Sequence, residues 1–390
     1  MGKLKIAFLH NEYPFGGGEK VTSNLSEYFN ENNCQVYVFA CRFLINKDRS
    51  NILITLPESK KIDTKKNIDF LITEIQKEQI DILVLPGIYI KRLDLIKNNT
   101  RVKLIFALHS VPLWEATNKR ILAKAKSKQG ILKSLEWIFL QKIKYDYLNT
   151  HIKSTIKKYT YVYNMVDAYV VLCEQYREDM LKILNLESSV KLRAILNSTE
   201  NQGTEGIFTK KKTILYVGRL SYADKRVDRL LDIWSKIYLN NPDWILKIVG
   251  DGPERHKLQD LANQLHLKRV SFEGYHSDIS EYYKDSSIIC LTSTFEGWGL
   301  CLAEAQAHGV IPIAFNCSAG VNQIISPNGV NGFLINPFEV TQFANQLEEL
   351  MQDEEIRKRM AKAVQQKSKE YSLSNIGKQW LDLFNELMSR

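Results

Sequence analysis

The chain lacks the patterns that mark a metal centre, a disulfide scaffold or a membrane span. Its six cysteines are scattered without any C-x-x-C pair, which argues against a zinc site and a disulfide framework and fits a reducing cytoplasm. Its seven histidines form no H-E-x-x-H or metal-spaced cluster, and there is no D-x-D pair. No apolar run approaches the roughly 20 residues that span a bilayer, and no signal-peptide core opens the chain. We therefore expect a cytoplasmic protein that holds no metal.

The composition is that of a soluble globular protein with more than one domain. Of the 390 residues, 44% are hydrophobic and 25% are charged, which supplies ample apolar material for two packed cores. A chain of this length exceeds one small domain and suggests two of ordinary size. No short-period repeat or long low-complexity tract interrupts it, so repeat and disordered architectures are not expected.

Short β-branched or aromatic runs alternate with helix-period segments, a pattern typical of parallel α/β sheets. The predicted strands of the first half are Lys5–Leu9, Gln35–Ala40, Ile80–Leu85, Lys103–Leu108, Ala168–Leu172 and Lys191–Ile195. Those of the second half are Thr213–Val217, Trp244–Val249, Val270–Phe272, Ser287–Leu291, Val310–Phe315 and Gly332–Ile335. Residues 197–212 are polar and turn-rich, and they are predicted to be a linker between the halves.

The expected fold is therefore α/β, with two doubly wound, Rossmann-like domains that face a central cleft. We expect the first domain over residues 1–196 and the second over residues 213–370. Residues 371–390 are amphipathic and are predicted to form a helix that packs back on the first domain. Ligands of such sheets bind at the carboxyl ends of the strands, so functional residues should lie in the loops that follow them.

The basic charge of the chain is concentrated in one segment. The formal net charge is +9, and between Lys119 and Lys158 eleven Lys and Arg residues stand against Glu136 and Asp146. Apolar and aromatic residues are interleaved with these cations, so residues 113–160 are predicted to be an insertion of one or two basic amphipathic helices. Such helices can lie on an anionic bilayer, and the alternative is a solvated hairpin that packs on its own domain. No nucleic-acid motif accompanies the charge.

A motif with two carboxylates follows the apolar strand Ser287–Leu291. Glu296 stands in the loop, and Glu304 stands about two turns into the helix that follows. The turn between them allows close backbone approach to a ligand and consists of Gly297, Trp298, Gly299 and Leu300. The start of the helix favours an anion. A nucleotide sugar offers the matching groups, because sugar hydroxyls and a ribose diol flank its diphosphate.

Two cations follow another strand. The strand Thr213–Val217 ends at Gly218, and Arg219 and Lys225 lie in the loop after it. Both side chains can reach a diphosphate at the carboxyl end of the strand. Their charge would stabilise negative charge on such a group. A pair of surface cations at the start of the next helix is the alternative.

Together these segments resemble glycosyltransferase family 4, whose members have the GT-B fold and an E-x7-E motif. In that family the first glutamate contacts the donor sugar and the second contacts the ribose. An Arg and a Lys of a G-R-L…K segment bind the phosphates. The resemblance implies these roles for Glu296, Glu304, Arg219 and Lys225. Arg226 departs from the family pattern, which usually has glycine at that position.

The resemblance extends over residues 214 to about 337 and is looser in the first half. Gly250 lies in a segment similar to the family's G-x-G-P turn, and Tyr275 follows the segment whose backbone faces the nucleotide base. Aromatic packing explains Tyr275 equally well. The resemblance implies a retaining enzyme that uses a nucleotide-diphosphate sugar without a metal. The loop from Asn316 to Gly320 is similar to loops in relatives acting on bacterial surface glycans, which favours UDP-hexose or UDP-N-acetylhexosamine as donor.

Two features of the first half complete the candidate site. Gly17 and Gly18 follow the first strand without a G-x-G-x-x-G or P-loop pattern, so nucleotide binding there is disfavoured. In GT-B enzymes the comparable loop lines the cleft near the acceptor and the donor phosphates, although a plain tight turn has the same sequence. His109 follows the strand Lys103–Leu108, where many relatives have a histidine near the reaction centre. A structural histidine is the alternative.

Other classes of protein share parts of this architecture. A non-catalytic GT-B subunit that binds an acceptor or a partner transferase would tend to lose the donor residues, which are all present. Nothing in the sequence demands a phosphorylase or an epimerase, and the glycine fingerprint of a dinucleotide oxidoreductase is missing. We expect a hexosyltransferase of bacterial cell-surface polysaccharide synthesis, peripheral on the inner face of the plasma membrane. Its acceptor would be a glycan, a glycolipid or a lipid-linked glycan.

Overall fold

The structure is a computed structural model, which describes residues 2–14, 16–44, 50–127, 135–199 and 210–390. The chain divides into two units, Met1–Ile195 with Gln379–Arg390 and Leu196–Lys378. Most of the predicted linker, residues 200–209, and part of the predicted insertion, residues 128–134, lie outside the described residues. Each unit is built on one parallel sheet with connecting helices, which confirms the predicted fold class.

The first sheet has seven parallel strands in the order β3-β2-β1-β4-β5-β6-β7. They are β1 (Leu4–Tyr13), β2 (Cys34–Phe43), β3 (Ile52–Thr55), β4 (Ile82–Pro86), β5 (Lys103–Leu108), β6 (Ala168–Val171) and β7 (Leu192–Ala194). The sequence pattern predicts all of them except β3, with some ends shifted by a few residues. β3 is a short edge strand without a buried residue, so it lacks the apolar run by which the inner strands are recognised.

The helices of the first unit connect these strands. They are α1 (Gly17–Glu31), α2 (Lys65–Glu78), α3 (Leu93–Asn99), α4 (Trp114–Ser127), α5 (Thr150–Met165) and α6 (Glu174–Leu184). Two π-helical segments, Trp137–Gln141 and Ile143–Tyr147, stand between α4 and α5 where the sequence predicts ordinary amphipathic helix. No helix among the described residues of the whole chain is long and apolar enough to cross a bilayer.

Local sequence signals explain where these helices form, as α2 illustrates. The side chain of Thr64 accepts a hydrogen bond from the backbone N of Asn67 at 3.2 Å and so caps the first turn. Ile68, Leu71 and Ile75 recur at helical spacing and are buried. The apolar stripe therefore packs α2 into the core of its unit, while the polar face stays in water.

The second sheet has six parallel strands in the order β10-β9-β8-β11-β12-β13. They are β8 (Thr213–Val217), β9 (Ile245–Val249), β10 (Val270–Gly274), β11 (Ile288–Leu291), β12 (Ile311–Phe315) and β13 (Phe333–Ile335). The helices are α7 (Val227–Ile237), α8 (Arg255–Gln264), α9 (Ser280–Asp285), α10 (Leu300–Ala307), α11 (Ala319–Ile325), α12 (Val340–Gln352), α13 (Glu354–Ser368) and α14 (Leu373–Met388). Central strands are buried on both faces, so their sequences are almost continuously apolar.

The last helix, α14, begins in the second unit and ends in the first. The ring of Phe384 lies 5.3 Å from that of Phe29 between centroids. Arg193 forms an ion pair with Glu386 at 2.7 Å. Both contacts lie within the first unit, so the end of the chain packs beside α1 and β7.

Candidate functional site

The two donor motifs of the sequence meet at the point where the strand order of the second sheet reverses. β8 and β11 are neighbours, with Ile214 opposite Ile288, although 70 residues of chain separate their ends. In doubly wound sheets a crevice opens outside the carboxyl ends of the strands at this reversal. The loop with Arg219 and Lys225 follows β8, and the loop with Glu296 follows β11. The fold thus brings together residues that the sequence keeps far apart.

Lys225 and Glu296 form an ion pair between these two loops. The Lys225 Nζ lies 2.5 Å from the Glu296 Oε1, and the two side chains are only 19% and 14% exposed. Burial alone would lower the pKa of Lys225, but the charge and hydrogen bond of Glu296 outweigh it and raise that pKa. Lys225 is therefore protonated at neutral pH. The hydroxyl of Ser293 lies 3.5 Å from the same Glu296 oxygen.

Arg219 extends into solvent beside this pair. Its Nη2 lies 2.9 Å from Asp224 Oδ2, and its side chain is 65% exposed. Burial would raise the pKa of Asp224, but a hydrogen bond from Ser221 and the charges of Lys225 and Arg219 lower it overall. The backbone carbonyl of Asp224 also accepts from the Thr294 N–H at 2.7 Å. Asp224 thus ties both loops together, a role that no local pattern in the sequence indicates.

Two glycines allow the loop after β9 to touch the loop after β8. Gly250 has φ +132°, and a Cβ there would lie 2.0 Å from the carbonyl oxygen of Gly218. A Cβ at Gly252 would lie 2.4 Å from the carbonyl oxygen of Leu220. The backbones are joined by hydrogen bonds from Gly218 N to Val249 O and from Leu220 N to Asp251 O. The position of the Arg219 segment therefore depends on having glycine, with no side chain, at positions 250 and 252.

The turn before α10 is fixed from inside the second unit. Trp298 is 3% exposed, and its ring meets that of Tyr371 edge-on at 6.2 Å. A Cβ at Gly320 would lie 2.3 Å from the carbonyl oxygen of Gly297. Gly299 adopts φ +91° as α10 begins at Leu300. The indole of Trp298 thus anchors the turn in the core, and any ligand contact by this residue is left to its backbone.

Glu304 lies on α10 and is held by a tyrosine. It is the fifth residue of the helix, so it stands little more than one turn from the start, where the sequence places it about two turns in. The hydroxyl of Tyr283 donates to Glu304 Oε2 at 2.8 Å. Tyr283 is 2% exposed, and its ring stacks on that of His308 at 5.6 Å. Sequence reasoning misses Tyr283, because a tyrosine on a short helix has the pattern of a core residue.

Tyr275 lies away from these groups along the sheet. It follows β10, the edge strand, which is separated from β8 by β9. Its side chain is 62% exposed. The adjacent His276 has its Nε2 3.0 Å from the hydroxyl of Tyr282. Gly250 lies between the loop after β8 and the loop with Tyr275, because it follows β9. Its N–H donates to the carbonyl of Gly274 at 2.7 Å.

The predicted residues of the first unit share the carboxyl edge of the first sheet. Gly17 and Gly18 are the first two residues of α1, directly after β1, and His109 follows β5. β4 lies between β1 and β5. His10, near the end of β1, is 1% exposed, with its Nε2 3.0 Å from the Thr22 hydroxyl. These residues thus surround the strand reversal of the first sheet, which lies between β1 and β4.

Burial raises the pKa of the thiols near the donor motifs. Burial, and then the charge of Glu296, raise the pKa of Cys301 to about 12. The same two causes raise the pKa of Cys317 to about 12. All six cysteines are free. Within the described ranges, no group of three or more His, Cys, Asp and Glu side chains is arranged to hold a metal ion.

The predicted basic insertion exposes apolar side chains as well as charge. Seven large apolar residues, two on α4 and five between α4 and α5, are 37% to 72% exposed: Ile121, Leu122, Leu135, Phe139, Ile143, Tyr147 and Leu148. Arg120 and Asp146 link α4 to the second π-helical segment through an ion pair of 2.7 Å. These side chains are exposed together with the basic charge of the segment.

Comparison with known proteins identifies relatives. Residues 197–367 match the family described as glycosyl transferases group 1. An uncharacterized glycosyltransferase of Haemophilus influenzae is 32% identical over 251 residues, which are 63% of this chain and 69% of that protein. The amylovoran biosynthesis glycosyltransferase AmsD of Erwinia amylovora is 30% identical over 243 residues, 61% of this chain and 68% of that protein.

Solved structures share the fold over nearly the whole chain. The apo form of the lipopolysaccharide outer core galactosyltransferase WaaB matches with a TM-score of 0.69 and 20% identity, over 98% of this chain and 100% of that one. Anabaena Alr3699/HepE in complex with UDP and glucose matches with a TM-score of 0.73 and 17% identity, over the same shares of the two chains. At sequence identities this low, the similarity to these structures establishes the fold alone.

Proposed function

Since the chain belongs to the group 1 glycosyl transferases and is a glycosyltransferase, we propose that it is a retaining, family 4 enzyme. It moves a hexose or an N-acetylhexosamine from a UDP-sugar to a glycan, a glycolipid or a lipid-linked acceptor. Retention follows from the resemblance of its motifs to family 4. The observation that carries the proposal is the buried Lys225–Glu296 pair beside Arg219, at the strand reversal of the second sheet.

The two cations would take the diphosphate of the donor. Lys225 is protonated, and Arg219 extends into solvent, so both can turn toward phosphate oxygens. A unit charge about 4 Å from a phosphate oxygen contributes roughly 4 kcal/mol at an effective dielectric near 20. This interaction strengthens as the C–O bond breaks and negative charge accumulates on the leaving nucleotide. Charge on the leaving group is thereby stabilised by the side chains of this chain and by backbone N–H groups at the start of α10, so no metal is required.

The two glutamates would take the hydroxyl groups of the donor. When Lys225 turns to a phosphate, the carboxylate of Glu296 loses its partner, and a sugar hydroxyl can replace it as the hydrogen-bond donor. Glu304, oriented by Tyr283, accepts from the ribose diol. Gly297 lies between the two carboxylates and is partly exposed, whereas Gly299 is buried. On donor binding, Lys225 thus exchanges Glu296 for a phosphate, and Glu296 exchanges Lys225 for a sugar hydroxyl.

Acceptor recognition belongs to the first unit in this proposal. His109, Gly17 and Gly18 lie at the carboxyl edge of the first sheet. The relative AmsD is named for amylovoran biosynthesis and the structural neighbour WaaB for the lipopolysaccharide outer core, which favours a role in bacterial surface polysaccharide synthesis. The exposed apolar and basic side chains of α4 and the π-helical segments would hold the enzyme on the inner face of the plasma membrane, near a lipid-linked acceptor.

Nucleotide binding tests this proposal directly. UDP and GDP are titrated calorimetrically into the wild-type protein without magnesium, and then into Glu304→Ala. We expect micromolar binding of UDP that is weakened about tenfold or more in the variant, because a charged hydrogen-bond acceptor is lost. Glu355→Ala is the matched control, since this exposed glutamate lies on α13 and pairs with Lys358. Equal UDP affinity in all three proteins would remove Glu304 from the site, and binding of neither nucleotide would overturn the donor assignment.

A further inference from the structure

A lysine of the first unit holds its charge against an aromatic ring. Lys158 lies on α5, and its Nζ is 3.2 Å from the centroid of the Tyr89 ring. Within the described part of the chain it makes no ion pair with a carboxylate. Burial lowers the pKa of this ammonium group, the charge of Glu115 acts against the shift, and that of Lys119 adds to it. Withdrawing a cation partly from water without an anionic partner costs free energy, which a bound anion would offset.

The ring that this lysine contacts lies at the carboxyl edge of the first sheet. Tyr89 follows β4, and its ring packs at 4.7 Å on that of Phe106 in β5. The Gly87 N–H donates to the carbonyl of Ala107, which fixes the loop after β4 at the carboxyl end of β5. β4 stands directly beside the strand reversal, where doubly wound sheets bind their ligands.

The neighbouring polar groups leave an excess of positive charge here. Glu115 on α4 is engaged, because its Oε2 accepts from the hydroxyl of Tyr159 at 2.6 Å. Lys119 lies one turn further along the same helix and is exposed. Arg120 is already paired with Asp146. Two lysine charges therefore face one carboxylate that has a partner of its own.

We propose that Lys158, with Lys119 beside it, binds an anionic group of the acceptor, a phosphate or a diphosphate. The Tyr89 ring sets the position of the ammonium group. The anion then acts as the ion-pair partner that no carboxylate of the described chain provides. That the anion belongs to the acceptor rests on the proposed function. The anion site itself follows from the geometry of Lys158, Tyr89 and Lys119. The acceptor class is therefore a phosphate-bearing glycan or a lipid-linked phosphate.

Inorganic pyrophosphate is the probe for this site. It is titrated calorimetrically into the protein with UDP present at saturation, so that Arg219 and Lys225 are occupied. We expect Lys158→Gln to weaken pyrophosphate binding about tenfold, because a charge-assisted hydrogen bond is lost. Lys158→Arg should restore most of it. The matched control is Lys157→Gln, which removes an exposed charge from the adjacent position and should leave the affinity within about twofold.

Two results decide the proposal separately from the donor assignment. Equal pyrophosphate affinity in Lys158→Gln and Lys157→Gln would overturn it and leave Lys158 as a side chain that covers Tyr89. If UDP does not bind at all, the proposed function fails. The same comparison in a Lys225→Ala background, without UDP, then still tests the anion site.

A vesicle experiment separates an acceptor phosphate from a lipid headgroup. The wild-type protein, Lys158→Gln and Phe139→Ser are sedimented with phosphatidylcholine vesicles, with and without phosphatidylglycerol. We expect Lys158→Gln to bind anionic vesicles like the wild type, while Phe139→Ser loses binding because an exposed apolar contact is removed. Loss of vesicle binding in Lys158→Gln with unchanged pyrophosphate affinity would identify a headgroup site and contradict the proposal.

Discussion

The two sheets present charged side chains at equivalent positions but balance them differently. At the strand reversal of the second sheet, Lys225 is paired with Glu296 and Arg219 with Asp224. At the reversal of the first sheet, Lys158 lies over the ring of Tyr89 without an ion pair in the described chain. Paired groups must exchange partners when a ligand arrives, whereas an unpaired cation gains its first partner. If the proposed roles hold, the donor edge is balanced before binding, and the acceptor edge is balanced by binding.

This difference has an energetic basis. Breaking a buried ion pair by removing one partner costs about 3–5 kcal/mol, because the remaining charge is left without compensation. Lys225 and Glu296 are both mostly buried, so each stabilises the other when no donor is bound. Lys158 is less enclosed, and the tyrosine face offers only about 0.5–2 kcal/mol to a cation. Substitutions can therefore test the contrast.

The largest expected effect is that of Lys225→Ala. We expect turnover to fall by about two to three decades, because the charge that stabilises the leaving diphosphate is lost. The initial rate with UDP-sugar donors measures it. Lys236→Ala, an exposed lysine of α7, is the control and should retain activity.

The same variant also tests the pairing. Lys225→Ala leaves Glu296 buried without its partner, so its unfolding midpoint should fall. Adding Glu296→Gln should restore part of the midpoint but none of the turnover. A single variant with unchanged stability would mean that the two groups are already independent in the free protein.

A smaller effect is expected of Gly250→Ala. The added Cβ would lie 2.0 Å from the Gly218 carbonyl oxygen, and φ +132° disfavours any side chain. We expect a loss of about 1–3 kcal/mol of stability, with weaker UDP binding because the Arg219 segment is displaced. Urea unfolding and UDP titration measure the two effects. In Gly18→Ala the added Cβ would have no described atom within 4 Å apart from its chain neighbours and the backbone of its own helix, so the unfolding midpoint should change little.

The smallest effect is expected of Tyr283→Phe, which removes the hydroxyl that orients Glu304. Loss of one hydrogen bond of about 1 kcal/mol should weaken UDP binding roughly fivefold. Tyr282→Phe is the matched control, because its hydroxyl contacts His276 and Glu273 instead. Equal losses in both variants would mean that the helix as a whole, and not the contact with Glu304, determines the affinity.

Much of the fold could be predicted because parallel strands buried on both faces have long apolar sequences. The bounds of β5 and β8 are those predicted. β3 was not predicted, because an edge strand does not need a continuous apolar sequence. The π-helical segments were missed because π-helices are rare, so an amphipathic pattern is interpreted as α-helix.

The site was only partly predictable, since sequence identifies residue types and not partners. The motifs indicate Lys225 and Glu296 separately, but the two residues are 71 positions apart in the sequence, and only the strand order makes them neighbours. Asp224 and Tyr283 act through contacts that no local pattern records. Trp298 belongs to the donor motif in sequence, yet its side chain fills the core.

The Lys225–Glu296 pair also sets a condition on any ligand that takes Lys225. A ligand that satisfies Lys225 alone leaves the mostly buried carboxylate of Glu296 without its ion-pair partner, at a cost in binding free energy. Under the proposed function, a nucleotide sugar offers an anionic group to Lys225 and a hydroxyl to Glu296 at once. The pair would therefore favour the complete donor over its nucleotide diphosphate alone.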